Sequence, residues 1–188
     1  YRNGTDGSGR GKSLSTTAKT IEWVYDQFPD VVTDSVYVIN LLPGNHIAAT
    51  AIDLDATGPS FVAKSPLIIR AYYPDLDSIP KIAATTVASG MGVFAPSVNY
   101  VIFDHLLIRG SADAGENAIG IGFTDASSNG FRNTTVKNCI FQFDSTGGVD
   151  GYHKAYGVRL KSTDSVFLYN NVFIGKSAAA QTDRGKGT

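Results

Sequence analysis

At 188 residues the chain is long enough for one domain with its own core and short for two. Its 16 Lys and Arg against 17 Asp and Glu leave a net charge of −1, which argues against a nucleic-acid groove or a basic membrane-binding face. No apolar run reaches membrane-span length, the polar start is no signal peptide, and the one cysteine, Cys139, is too isolated for a disulfide or a metal site. No metal, cofactor, nucleic acid or membrane partner is therefore expected.

Residues 1–15 read as a glycine-rich lead-in that buries too little apolar area to fold alone, and 16–188 as one domain. Ala18, Ile21, Val24, Tyr25 and Phe28 form a helical stripe over 18–28, with Ser15, Thr16 and Thr17 as N-cap candidates and Pro29 as the stop. Strands are predicted at 36–42, 66–73, 81–87, 98–109, 133–143 and 156–174, the last with a polar break at 162–164. Without a further helix, an alternating βαβ architecture is excluded, and a sandwich, a barrel or a solenoid remains.

A repeat favours the solenoid. Ile102-Phe103-Asp104-His105-Leu106, Val136-Lys137-Asn138-Cys139-Ile140 and Leu168-Tyr169-Asn170-Asn171-Val172 align with Asp104, Asn138 and Asn170 at one position, 34 residues apart (104 to 138) and 32 (138 to 170). Stacked coils about 4.8 Å apart would place Ile102, Val136 and Leu168 in one buried ladder and Leu106, Ile140 and Val172 in another. Asp104, Asn138 and Asn170 would then stack at a bend and satisfy its backbone groups. The strands around Val38 and Ile68 fit this template only loosely. The expected fold is all-β, a right-handed single-stranded parallel β-helix with an N-terminal capping helix. The uncapped C-terminal end, the absent initiator Met and the polar finish at 183–188 suggest a piece of something longer.

Asn3-Gly4-Thr5-Asp6-Gly7-Ser8-Gly9, leading through Ser13-Leu14-Ser15 to Ala18-Lys19-Thr20-Ile21 and then to Val36-Tyr37-Val38-Ile39-Asn40-Leu41-Leu42-Pro43-Gly44, resembles the opening of pectate-lyase-like β-helix domains in bacteriophage tailspikes, tail fibres and other virion proteins. The likeness covers about the first quarter of the chain. It implies binding or cleavage of surface polysaccharide, homo-oligomers such as trimers, other virion proteins as partners, and a place in the virion or at a cell surface. The first expectation is a structural or receptor-binding virion component. The alternatives are a polysaccharide lyase or hydrolase of the same fold and a secreted bacterial adhesin or surface-layer element.

For sugar chemistry the carboxylates Asp113, Glu116, Asp125, Asp144, Asp150 and Asp164 all fall in predicted loops. The densest group is 144–154, where Asp144, Asp150 and His153 are catalytic candidates and Tyr152 and Lys154 ligand-binding candidates. Asp104-His105 resembles the Asp-His pair of pectate lyases, although its surroundings do not extend the match. Tyr72, Tyr73, Tyr100, Tyr156 and Tyr169 are possible aromatic platforms that equally suit a core or ladder position. The phosphate-loop-like run Asp6 through Ser13 lacks its first glycine and a preceding strand, so it is read as part of the lead-in.

Overall fold

The computed structural model describes residues 20–30, 34–54, 61–73, 77–85, 92–110, 118–123, 133–143, 155–160 and 165–175. Among the described residues the fold is all-β apart from α1 (Ile21–Tyr25). Thr20 caps this helix: its extended backbone leaves Oγ1 free to accept the Trp23 N–H at 3.2 Å. The helix is shorter than the predicted 18–28, because the chain passes into a turn at Asp26, with Phe28 N–H bonded back to the Tyr25 carbonyl. Ile21 and Tyr25 are buried against the first coil, where α1 contacts β1 and β3.

Strands follow in groups of three. The first coil holds β1 (Tyr37–Leu41), β2 (Asn45–Ala48) and β3 (Ile52–Leu54), and the second β4 (Leu67–Ala71), β5 (Lys81–Ala84) and β6 (Phe94–Pro96). The third holds β7 (Val101–Asp104), β8 (Leu107–Gly110) and β9 (Ala118–Gly122), and the fourth β10 (Thr134–Lys137), β11 (Ile140–Phe143) and β12 (Ala155–Arg159). A fifth begins with β13 (Val166–Tyr169) and β14 (Val172–Gly175). The first strand of every coil joins one parallel sheet, the second another and the third a third, so the chain visits the sheets in cyclic order. That arrangement is compatible with a parallel β-solenoid. The strands around Val38 and Ile68, loosely matched by the repeat, belong to the same sheet as Ile102 and pair in register with it.

Two of the inward columns show how the core is built. Ile39, Ile69, Phe103 and Val136 follow one another in register and are buried. In the second sheet His46, Ile82, Ile108 and Phe141 do the same, and Phe173 continues the column, its ring stacked on Phe141 at 5.1 Å and 8°. Glycines in the third sheet make room for these rings. A Cβ on Gly120 would lie 2.6 Å from the Phe141 ring, and one on Gly157 would collide with Phe173. At the far end of the stack Leu168 and Phe173 are 45% and 55% exposed.

The expected ladders hold between the fourth and fifth coils, where Val136 pairs with Leu168 and Ile140 with Val172, and are out by one residue at the third. Val136 pairs with Phe103, whereas Ile102 pairs with Thr135 and lies half-buried on the outer face. Ile140 pairs with Leu107 and Val172, also outward, while Leu106 is fully buried at the corner between the sheets. The third and fourth coils are offset by 33 residues, as in the pair Asp104 and Lys137, and with a side-chain period of two a single-residue slip exchanges the inner and outer faces.

Substitution on the two sides of β11 separates these registers. Phe141→Ala should lower the unfolding free energy by about 3 to 5 kcal/mol, and Ile140→Ala by about 1 kcal/mol, as read from urea midpoints at constant m-value. The reverse ranking would restore the register expected from the repeat.

His46 occupies an inward position otherwise filled by aliphatic and aromatic side chains. Its Nε2 donates to the Leu42 carbonyl at 2.8 Å, which fixes the proton on that nitrogen. Burial pushes its pKa down to about 4, against the opposing effect of that hydrogen bond. The unfolded chain therefore binds the proton at higher pH than the folded one, and stability should fall as pH drops from about 6.5 to about 4. The loss is on the order of 3 kcal/mol, from the energy of a pKa difference. His46→Leu should flatten this part of the urea-midpoint profile; an unchanged slope would refute the assignment.

Candidate functional site

The corner between the first and second sheets is a two-residue bend in the third, fourth and fifth coils: His105-Leu106, Asn138-Cys139 and Asn170-Asn171. The first residue of each bend is left-handed, with φ of 55°, 54° and 54° at His105, Asn138 and Asn170. Asn and His tolerate this conformation better than most side chains, which explains their recurrence here. Asp104 stands one position earlier. The stack expected as Asp104, Asn138 and Asn170 is therefore His105, Asn138 and Asn170, and Asp104 pairs with Lys137 at the strand end.

Because of that offset, Asp104 receives three donors. His105 Nδ1 lies 2.6 Å and Asn138 Nδ2 2.8 Å from Oδ1, and Lys137 Nζ lies 3.2 Å from Oδ2. Burial alone pushes the carboxyl pKa up, but the hydrogen bonds from Asn138 and Lys137, with the charges of His105 and Lys137, outweigh it and hold Asp104 below its ordinary value. The ionised carboxylate accepts the His105 Nδ1 proton, which directs the other ring nitrogen away from it. The His105 side chain is 36% exposed, against 16% for Asp104. The group thus combines an oriented imidazole, an ammonium and an amide around a fixed anion, a set able to exchange hydrogen bonds or a proton with a bound molecule.

Behind it the corner is closed to chemistry. Burial raises the Cys139 thiol to about 12, so it stays protonated at neutral pH, and Sγ donates to the Lys137 carbonyl at 3.2 Å. Asn171 bridges two coils: Oδ1 accepts the Cys139 N–H at 3.0 Å and Nδ2 donates to the Val136 carbonyl at 2.8 Å. Sequence reasoning missed the parts played by Asn171 and Lys137. Their signal was the doubled Asn170-Asn171 and the polar residue preceding each bend.

The candidates Asp144, Asp150, Tyr152, His153 and Lys154 lie outside the described residues, as do Asp113, Glu116, Asp125 and Asp164. Among the described residues no group of three or more His, Cys, Asp or Glu side chains is placed to hold a metal ion. No helix of the described chain is long and apolar enough to cross a membrane. Comparison with protein-family models, curated proteins and solved structures gave no match.

The Asn138 bend gives a direct test. Asn138→Ala should cost about 2.5 to 5 kcal/mol, combining left-handed strain of about 1 to 2 kcal/mol with about 1.5 to 3 kcal/mol for a lost hydrogen bond to a charged acceptor. Asn138→Gly should recover the strain part and leave only the hydrogen-bond loss. Equal urea midpoints for the two variants would show that the left-handed bend carries none of the effect.

Proposed function

We propose that this chain is a right-handed, pectate-lyase-like parallel β-helix serving as a structural or receptor-binding element of a bacteriophage virion, a fibre or spike domain that contacts polysaccharide on the host surface. The observation that carries this reading is the stacking of successive three-strand coils in register over columns of buried aliphatic and aromatic side chains. Such a stack is a stiff rod whose backbone groups are tied between neighbouring coils. The right-handed sense follows the rule for crossovers between parallel strands of one sheet, and the virion placement follows the resemblance of the first quarter of the chain.

The chain should resist proteinase K at concentrations that digest it after urea unfolding, and should sediment with encapsulated bacteria but not with cells stripped of surface polysaccharide. Equal sedimentation with both kinds of cell, or with neither, would remove the polysaccharide contact.

A second reading, a polysaccharide lyase or hydrolase of the same fold, draws on the imidazole that Asp104 orients at 2.6 Å. It requires release of reducing ends or unsaturated sugar from bacterial polysaccharide, with loss of that release in Asp104→Asn.

A further inference from the structure

We infer that the corner joining the first two sheets is a carbohydrate-binding strip running along the axis of the stack, from Tyr72 and Tyr73 through His105 and Lys137 to Tyr169. The inference rests on the polysaccharide contact proposed above and assigns it a place. The segment after β4 leaves the same corner as the His105 bend, one coil earlier, because both connect the first sheet to the second. It carries Tyr72 and Tyr73, 42% and 46% exposed, with rings 4.7 Å apart and almost perpendicular at 88°. Edge-to-face tyrosines in solvent offer an apolar ring surface and a hydroxyl at once, the pairing that suits a sugar ring with C–H groups on its faces and hydroxyls at its rim.

The next coils continue the strip in strict register. Arg70 pairs with Asp104, Asp104 with Lys137 and Lys137 with Tyr169, so these residues form one outward column. Lys137 and Asp104 form an ion pair at 3.2 Å within the column, while Arg70, bound through Nε to the neutral Asn40 Oδ1 at 2.9 Å, keeps its charge. A single uncompensated cation beside a satisfied ion pair is too few charges to hold a polyanion by counterion release, which needs several. The column favours a ligand of many hydroxyls, each able to donate and accept against imidazole, ammonium and amide. Tyr169, 48% exposed, places a second aromatic at the far end beside the Asn170 bend. From the tyrosine pair to Tyr169 is three coil spacings, about 14 Å, the length of an oligosaccharide and not of one sugar.

Preorganisation comes from the fold. His105 is held by its left-handed backbone and by Asp104, and Lys137 by the same carboxylate, so little side-chain freedom remains to be lost on binding.

The test uses the 188-residue chain against immobilised lipopolysaccharides and capsular polysaccharides purified from several bacteria, read by surface plasmon resonance. Three variants probe the strip: Tyr72→Ala with Tyr73→Ala, His105→Asn, which keeps a residue suited to the left-handed bend, and Tyr169→Ala. Ile47→Thr, on the outer face of β2, is the control. Far-UV circular dichroism and Tm establish that each variant is folded. Each strip variant should weaken binding roughly tenfold, the scale of one lost aromatic or charge-assisted contact, with the control unchanged. Binding by the wild type that all three variants retain within about twofold would overturn the strip and leave the polysaccharide contact standing. No binding by the wild type to any polysaccharide would overturn both.

Discussion

Stacked coils at a fixed spacing of about 4.8 Å must turn through each corner without leaving the backbone groups of the bend unpaired, and the rest of this chain is arranged around that requirement. At the corner of the first two sheets the answer is a left-handed residue followed by one whose carbonyl points along the stack. Ile140 N–H reaches the Leu106 carbonyl at 2.8 Å and Val172 N–H the Cys139 carbonyl at 2.9 Å, while His105 N–H and Asn138 N–H reach the Lys137 and Tyr169 carbonyls at 3.3 Å. Asn171 supplies the remaining link, because its amide donates to one backbone group of the fourth coil and accepts from another. With the corner pinned in this way, the registers of the strands on either side follow.

Register then dictates side-chain size. The second sheet sends Phe141 and Phe173 inward, and their stacked rings approach the third sheet closely enough that Gly120 and Gly157 cannot carry a Cβ without displacing them. Packing at the density of an organic crystal leaves such a pairing of large and small little latitude. The third-sheet strand Ala-Ile-Gly-Ile-Gly of β9, weak by strand propensity, is explained by this need for space across the core. His46 fits the same logic from the polar side: a ring of suitable size fills the column, and its one buried proton is satisfied by Leu42.

How much of this was legible depended on whether the local pattern had one reading. The period of roughly 33 residues, the all-β class and the Pro43-Gly44 turn were visible, and Gly44 does take a positive φ of 134°. The register was not, because apolar residues stand on both sides of each bend: Ile102 beside Phe103, and Leu106 beside Leu107. Alternation cannot choose a face when both candidates are apolar. His105 hid the bend in the third coil, since a histidine does not announce a left-handed residue as an asparagine does, and the alignment settled on Asp104 instead. Of the third sheet only β12 fell in a predicted strand. Phe94-Ala95-Pro96 is short and ends in proline, and the glycine-bearing β9 looks like loop until the Phe141 ring against Gly120 is known. Within the candidate site, Asp104 and Asn138 were singled out for satisfying a bend, yet their contact with each other depends on the 33-residue offset, which brings Asn138 Nδ2 within 2.8 Å of the carboxylate.

On the binding strip proposed above, the same offset gives the corner a second role. In a strict ladder of like residues, Asp104 would lie against Asn138 and Asn170 and the strip would be uniform. Displaced by one, the carboxylate pairs with Lys137 and the imidazole takes the bend, so neighbouring coils present different hydrogen-bonding groups at one regular spacing. Those groups cannot adjust independently, because each is fixed by the bend that holds two coils together. A surface of this kind favours a ligand that is itself a repeating chain with a matching advance per unit, and it discriminates through the order of its groups. Under the polysaccharide contact proposed above, the constraint that fixes the fold would also set the spacing at which the ligand is read.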